Sequence, residues 1–309
     1  MKKFIILIPL YNDWKSVSKL LDQIDLQTNN WDAEVSVIIV NDASTEERSG
    51  LASNYKKIKS VKILNMNKNR VHQRCIAAGL KYICEKEDFD RVIVMDADGE
   101  DRPEELNDFY KAVKEDPENT ITGNRFERSE GIFFKILYEI HKILTLVFTG
   151  KLIKFGNFTC LPKKHVQELI EKPFLWNSYS SSVVKAIYQR SFIRSKRGLR
   201  YVLPSKMNFP ALVFHSLAII SVFRNQVIVR SIIFLLVYLF FSVSFDVNTF
   251  SFSADRMLSS LTFFPYPILF LFVFVLAILK ISLRSNKNGL DNSLENIGSI
   301  DVLDSSDSR

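Results

Sequence analysis

The sequence predicts a three-layer α/β domain with a mainly parallel sheet, followed by helices that lie on and then cross a membrane. Three observations carry this expectation. Short apolar runs alternate with helical spacings over the first hundred residues, the pattern of parallel strands joined by helical crossovers. Polar and acidic clusters follow the strand candidates, and open α/β sheets bind their ligands at those ends. Two late apolar stretches, Val227–Val247 and Leu261–Leu283, are each long enough for a hydrocarbon core of roughly 30 Å.

Phe4–Ile8 is the first apolar run, closed by Pro9, and Val17, Leu20, Leu21 and Ile24 follow at helical spacing. The opening MKKFIILIPLYND has too short an apolar core for a signal peptide and no small-residue cleavage site, so it reads as a strand and the domain is expected in the cytosol. Val35–Val40 is a second buried strand, ending in Asn41-Asp42-Ala43-Ser44, with a helix expected over Glu46–Tyr55. Val61–Leu64 is a third strand, followed by the polar turn Asn65–Arg70 and a helix over Val71–Lys86. Val92–Met95 is the fourth, and it ends in three acids at alternating positions, Asp96, Asp98 and Glu100. In extended backbone residues two apart share a side, so the three carboxylates can face one spot suited to a hard divalent cation. Asp101 and Glu104 form a capping pattern with Pro103 in the first turn, so a helix is expected just beyond the acids. Tyr11, Asn12 and Asp13, then Asp42 and Ser44, then Asn69, become neighbours of those acids if the four strands lie in one parallel sheet. Taken singly, Asp42, Ser44 and Asn69 also read as cap or turn residues.

Gly131–Phe148 has a strongly apolar face and reads either as a core-packed helix or as one lying in a membrane interface. Arg190–Lys206 holds six cations, a solvated face or a grip for phosphates. Ala211–Phe223 is apolar but too short to cross, which suits an interfacial helix leading into the first span. Arg224, Arg230, Arg284 and Lys287 flank the expected cytosolic ends of two spans, whose connecting turn has Asp246, Asp255 and one cation, Arg256. Both termini are then cytosolic. The boundaries are residues 1–207 for the α/β domain, 208–225 for the interfacial helix, 226–284 for the spans and 285–309 for a Ser/Asn/Asp-rich tail expected to be disordered. Cys75, Cys84 and Cys160 have no disulfide or metal spacing, as in a reducing compartment. The net charge of +7 comes without a nucleic-acid motif and fits anionic lipid or phosphorylated substrates.

With these residues assembled, the chain resembles family 2 glycosyltransferases of the GT-A fold, specifically the polyprenyl-phosphate enzymes related to dolichol-phosphate mannosyltransferase. The resemblance rests on IPLYND (Ile8–Asp13), VNDAS (Val40–Ser44), Asn69 with Ala78-Gly79, MDADGEDRPEEL (Met95–Leu106), GNR (Gly123–Arg125), GNF (Gly156–Phe158) and Arg200 with Ser205-Lys206. It implies a GT-A, Rossmann-like fold and sugar transfer from a nucleotide-diphosphate-sugar to a polyprenyl phosphate, with Mg2+ or Mn2+ as cofactor. By the same resemblance Pro9, Tyr11, Asn12, Asp13, Asp42, Ser44 and Asn69 border the donor and Asp96 lies beside its sugar. Asp98 and Glu100 would be the metal ligands, and Arg125, Arg128, Arg200, Ser205 and Lys206 would hold donor diphosphate or carrier phosphate.

The partners so implied are donor, carrier, membrane lipids, a second copy of the chain, a flippase and a downstream glycosyltransferase, at a bacterial inner membrane. Leu203 departs from a Gly common before the Ser-Lys pair, and Asn41 from an Asp. Asn157 stands where several relatives carry an Asp; an amide cannot act as a base, though a phosphate acceptor is already largely deprotonated at neutral pH. Transfer to another lipid or a hydroxyl, and a non-catalytic nucleotide-sugar-binding partner of a flippase, are the alternative functions.

Overall fold

The computed structural model describes residues 1–51, 54–127, 132–202, 209–248, 265–283 and 287–304. Its centre is one eight-stranded sheet. In chain order the strands are β1 (Lys2–Leu10), β2 (Ala33–Asn41), β3 (Ile58–Met66), β4 (Arg91–Val94), β5 (Thr120–Glu127), β6 (Phe155–Pro162), β7 (Arg190–Lys196) and β8 (Ile297–Asp304). Across the sheet they run β7-β5-β6-β4-β1-β2-β3-β8. The pairs β4/β1, β1/β2, β2/β3 and β5/β7 are parallel, and β4/β6, β5/β6 and β3/β8 are antiparallel.

The four leading strands are the expected ones: the first three are extended by one to three residues at each end, and the fourth begins one residue earlier and ends at Val94 instead of Met95. They are buried on both faces because helices cover both sides, which is why they read as continuous apolar runs. One layer is α1 (Trp14–Thr28) with α3 (Leu106–Glu115), and its core joins Phe4, Ile6 and Ile8 to Val17, Leu20, Ile24 and Phe109. The other is α2 (His72–Lys86) with α5 (Lys163–Ile170) and α6 (Tyr179–Ala186), where Ile5, Leu7, Val92 and Val94 meet Ile76, Leu80, Val166 and Tyr179. The close approach of α2 to the sheet requires Gly79, since a Cβ there would sit 2.4 Å from a Leu7 methyl.

The helix expected over Glu46–Tyr55 is absent among the described residues. The chain there is tied to the first loop: Asn12 Oδ1 accepts from the Thr45 and Glu46 N–H groups at 2.7 and 3.1 Å. Gly50, at φ +79°, then turns the chain. Leu51 and Tyr55 pack on the core from an irregular segment instead.

The tail is the second correction. Residues 287–304 are ordered: α10 (Lys287–Asp291) and a short 3-10 turn lead into β8, which pairs antiparallel with β3 from Ser60↔Asp304 to Met66↔Ile297. Leu290 is buried, Leu303 packs on one face of the sheet and Ile297 on the other. The edge of β3 supplies unpaired backbone groups, and an eight-residue segment with four aliphatics satisfies them despite its polar composition.

Three further helices stand beside the domain: α4 (Ile132–Thr149), α7 (Phe209–Ser221) and α8 (Arg224–Asn248). A fourth is α9 (Pro265–Leu283). Phe148, Ile220, Val227 and Ile278 form their shared core, so the C-terminal part of α4 packs with these helices. Ile140, Ile143, Leu146 and Val147 of α4 are exposed. Arg230 donates to the Val147 carbonyl at 3.0 Å, satisfying an orphan carbonyl in the last turn of α4. Only α9 is by itself long and apolar enough to cross a membrane among the described residues; α7 and α8, bent by 90°, qualify together as a second candidate.

Candidate functional site

The strand order reverses between β1 and β4, because β2 and β3 continue on one side of β1 and β4 pairs with the other. A crevice opens at such a point above the carboxyl ends of the strands. The sequence-predicted residues divide there into two groups with different chemistry.

The loops after β1, β2 and β3 are tied together by side chain to backbone bonds. The Asn12 amide donates to Ser44 Oγ at 2.8 Å, and Asn41 Oδ1 accepts from the Ser44 amide at 3.1 Å. Asn12 and Ala43 hold positive φ, 50° and 55°, which these bonds stabilise. Asp42 is buried, and its oxygens accept from the Arg70 and Val71 amides at 2.5 and 2.9 Å. Burial pushes its carboxyl up, while those amides and the Cys75 thiol pull it back toward the ionised form. Asp42 therefore fixes the β3–α2 loop. Asn69 Oδ1 also accepts from the Val71 amide, at 3.2 Å. Pro9 is buried and Tyr11 is 43% exposed at the rim. Asp13 directly precedes α1 and makes no side-chain cap bond, while its charge reaches Arg200.

The loop after β4 is held by charge. Asp101, expected as a helix cap, is fully buried instead. It accepts from the Asp96 amide and from Arg125 Nη2, both at 2.9 Å. Burial and Asp96 push the Asp101 carboxyl up, and Arg125 and the Asp96 amide oppose them. Arg125 is thereby part of the floor of the site. The helix opens without its cap, as a 3-10 turn over Pro103–Glu105 that runs into α3.

Asp96 faces the crevice from a different set of partners. His72 Nε2 lies 3.1 Å from Asp96 Oδ1, and Asn157 Nδ2 donates to the same oxygen at 2.9 Å. Burial opposes the Asp96 charge, yet His72, Arg125 and Asn157 hold its carboxyl well below the usual range. Asp98 behaves oppositely. Burial, then the Asp96 and Glu100 charges, push it up to about 6.

Arginines from the segment after β7 close over these acids. Arg200 reaches Asp98 Oδ2 at 2.5 Å and Glu100 Oε1 at 2.9 Å, and Arg197 reaches Glu100 Oε2 at 2.5 Å. Backbone bonds pin the same segment down, Gly198 N–H to the Glu100 carbonyl and Tyr201 N–H to the Asp98 carbonyl, each at 2.9 Å. Gly99, at φ +84°, lies against the Tyr201 ring, where a Cβ would come within 2.7 Å. So the basic segment is split in use. Arg190 donates to the Val183 and Val184 carbonyls, Arg194 stacks on Phe126, and Arg197 and Arg200 serve the acids. Arg128, Ser205 and Lys206 lie outside the described residues.

Among the described residues no group of three or more His, Cys, Asp or Glu side chains is arranged to hold a metal ion. Asp98 and Glu100 nevertheless have the right chemistry for one. Both are hard oxygen donors on one turn, and burial together with the neighbouring Asp96 and Glu100 charges raises the Asp98 pKa, a cost that a bound divalent cation would relieve. Asp101, His72 and Arg197 were missed from sequence. An acid at a helix start reads as a cap, and the histidine and arginine reach the acids only through long-range folding.

Known proteins agree with this architecture. The pattern of Glycosyl transferase family 2 matches residues 5–171, more than half of the chain. Two undecaprenyl-phosphate 4-deoxy-4-formamido-L-arabinose transferases are among its relatives. That of Serratia proteamaculans is 25% identical over 198 residues, covering 63% of this chain and 57% of its own length. That of Yersinia pestis is 26% identical over 176 residues, covering 55% and 51%. The chain thus spans about half the length of the curated relatives it matches. Among solved structures, mannosyl-3-phosphoglycerate synthase from Rubrobacter xylanophilus superposes with a TM-score of 0.54 at 14% identity, over 73% of this chain and 74% of that one. Glucosyl-3-phosphoglycerate synthase from Mycobacterium tuberculosis, in complex with Mn2+, UDP and glucosyl-3-phosphoglycerate, superposes with 0.51 at 11% identity, over 73% and 80%. These likenesses show a GT-A-like fold. By the match over residues 5–171, the chain belongs to glycosyl transferase family 2.

Proposed function

We propose that this protein is a glycosyltransferase that moves one sugar from a nucleotide-diphosphate-sugar to the phosphate of a membrane polyprenol. The observation that carries this is the pairing of an acidic crevice at the β1/β4 switch point with a helical assembly on the same chain, whose α4 exposes aliphatic side chains. The relatives named for undecaprenyl phosphate support the acceptor.

In this reading Tyr11, Asp13 and the locked loops after β2 and β3 border the nucleotide. Asp42 contributes by holding the β3–α2 loop. Asp96 lies beside the sugar. Asp98 and Glu100 would hold Mg2+ or Mn2+, which when bound neutralises charge on the departing diphosphate; the Mn2+ and UDP in the mycobacterial synthase support that cofactor. Arg197 and Arg200, already paired with the acids, are placed to pass to phosphate oxygens, because guanidinium matches either anion. The acceptor phosphate attacks directly, which inverts the anomeric centre, and the protein supplies position and electrostatics.

Two membrane spans and a cytosolic catalytic face belong to the same proposal. Sheet topology supports them. β3 and β8 hydrogen-bond to each other, so the chain between β7 and β8 crosses any membrane an even number of times. If α9 crosses once, the bent α7–α8 pair supplies the return. In this proposed division residues 287–304 belong with the first domain, because β8 pairs with β3.

The test is a donor screen. Purified full-length protein, undecaprenyl phosphate, Mn2+ and a panel of labelled nucleotide-sugars should yield label extractable into organic solvent with one donor. Label passing only to water, or to hydroxyl acceptors, would overturn the acceptor assignment.

A further inference from the structure

His72 opens α2 at the crevice, and one edge of its ring is committed. Its Nε2 lies 3.1 Å from Asp96 Oδ1 and 2.8 Å from Asn157 Nδ2. The orientation of Asn157 is fixed by a relay. The Tyr179 amide donates to Gln73 Oε1 at 2.6 Å, which leaves Gln73 Nε2 to donate to Asn157 Oδ1 at 3.2 Å. The NH2 of Asn157 must then face His72 and Asp96. A carboxylate at 157 would set an anion against Asp96, whereas the amide donates to it.

The His72 side chain is 38% exposed, and its Nδ1 is left for a ligand. It stands between Asp96 and the helices beside the domain: His215 of α7 is within electrostatic reach of His72, Asp96 and His141 of α4. Burial disfavours charge on His72, but Asp96, Asp98 and Asp101 outweigh it and raise its pKa, with His215 as the opposing neighbour.

We propose that His72 binds the acceptor's phosphate monoester, its Nδ1–H donating to a phosphate oxygen while Nε2–H donates to Asp96 Oδ1, the same oxygen to which the Asn157 amide donates. The bond is charge-assisted and needs no proton transfer: the phosphate oxygen forms the new C–O bond and the diphosphate leaves with the old bonding pair. This rests on the polyprenyl-phosphate reading and adds a residue to it.

Binding of undecaprenyl phosphate and of undecaprenol to the full-length protein in detergent, followed by native mass spectrometry, tests it without a donor. Wild type should prefer the phosphate. His72→Gln should weaken phosphate binding about tenfold, the loss of one charged hydrogen bond, and leave undecaprenol binding unchanged. His72→Lys, which keeps a cation, should stay closer to wild type than His72→Gln. Equal phosphate binding by wild type and His72→Gln would overturn the assignment, as would equal weakening toward both lipids or a lysine variant no better than glutamine. A wild type without preference for the phosphate would overturn the acceptor reading itself, and this assignment with it.

Discussion

The loops after β1–β3 and the loop after β4 are equally polar in sequence, yet they are held in opposite ways. In the first, side-chain oxygens of Asn12, Asn41 and Asp42 accept from backbone amides. In the second, Asp98 and Glu100 are neutralised by arginine side chains from about a hundred residues away. Backbone donors cannot leave without breaking the fold; a guanidinium can rotate to another anion. The carboxylates with side-chain partners can therefore exchange them for other cations, while Asp42 braces the β3–α2 loop.

The largest expected effect breaks the second region. Asp98→Ala should lower turnover on the order of a thousandfold, as for loss of a principal electrostatic group, with the melting temperature nearly unchanged. A fall in both would make the acid loop structural. Next is Arg125→Ala, which strands Asp101 as a buried unpaired carboxylate and should cost about 3–5 kcal/mol of stability by denaturant titration. An unaffected midpoint would remove Arg125 from the floor of the site. Asp42→Ala, read by the same titration, should cost about 1–3 kcal/mol for two orphaned amides, with donor affinity falling because the β3–α2 loop loosens. Loss of donor affinity alone would turn the brace back into a nucleotide reader.

The smallest effect is one of pH. The raised pKa of Asp98 means that ionising it opposes folding, so its contribution is unfavourable above the unfolded value near 3.8 and fully so above about 6. A proton and a cation compete for it, so Mn2+ affinity should fall as pH drops through about 6. Manganese binding followed by electron paramagnetic resonance between pH 5 and 8 reads this, and a flat profile would remove Asp98 from the ligand set.

Much of the catalytic half was legible because local physics and tertiary fold coincide there. Continuous apolar runs became strands buried on both faces, and the placement of polar residues after each strand located the crevice. What failed were segments whose fate depends on distant partners. Glu46–Tyr55 has helix-compatible residues, but Gly50 turns the chain at positive φ, and Leu51 and Tyr55 pack on the core from an irregular segment. Residues 287–304 look disordered by composition, yet the open edge of β3 orders them. Asp101 looks like a cap because its partner Arg125 is invisible until β5 lies beside the acid loop. The same holds for His72, a helix residue in sequence and a neighbour of Asp96 in space.

The most direct measurement is lipid-extractable sugar formed by full-length wild type and by Asp98→Asn, each with Mn2+ and with EDTA, using undecaprenyl phosphate and the donor found by screening. The account predicts glycolipid from wild type with Mn2+ alone, and background in the other three reactions. Glycolipid from Asp98→Asn at the wild-type rate, or from wild type in EDTA, would contradict it.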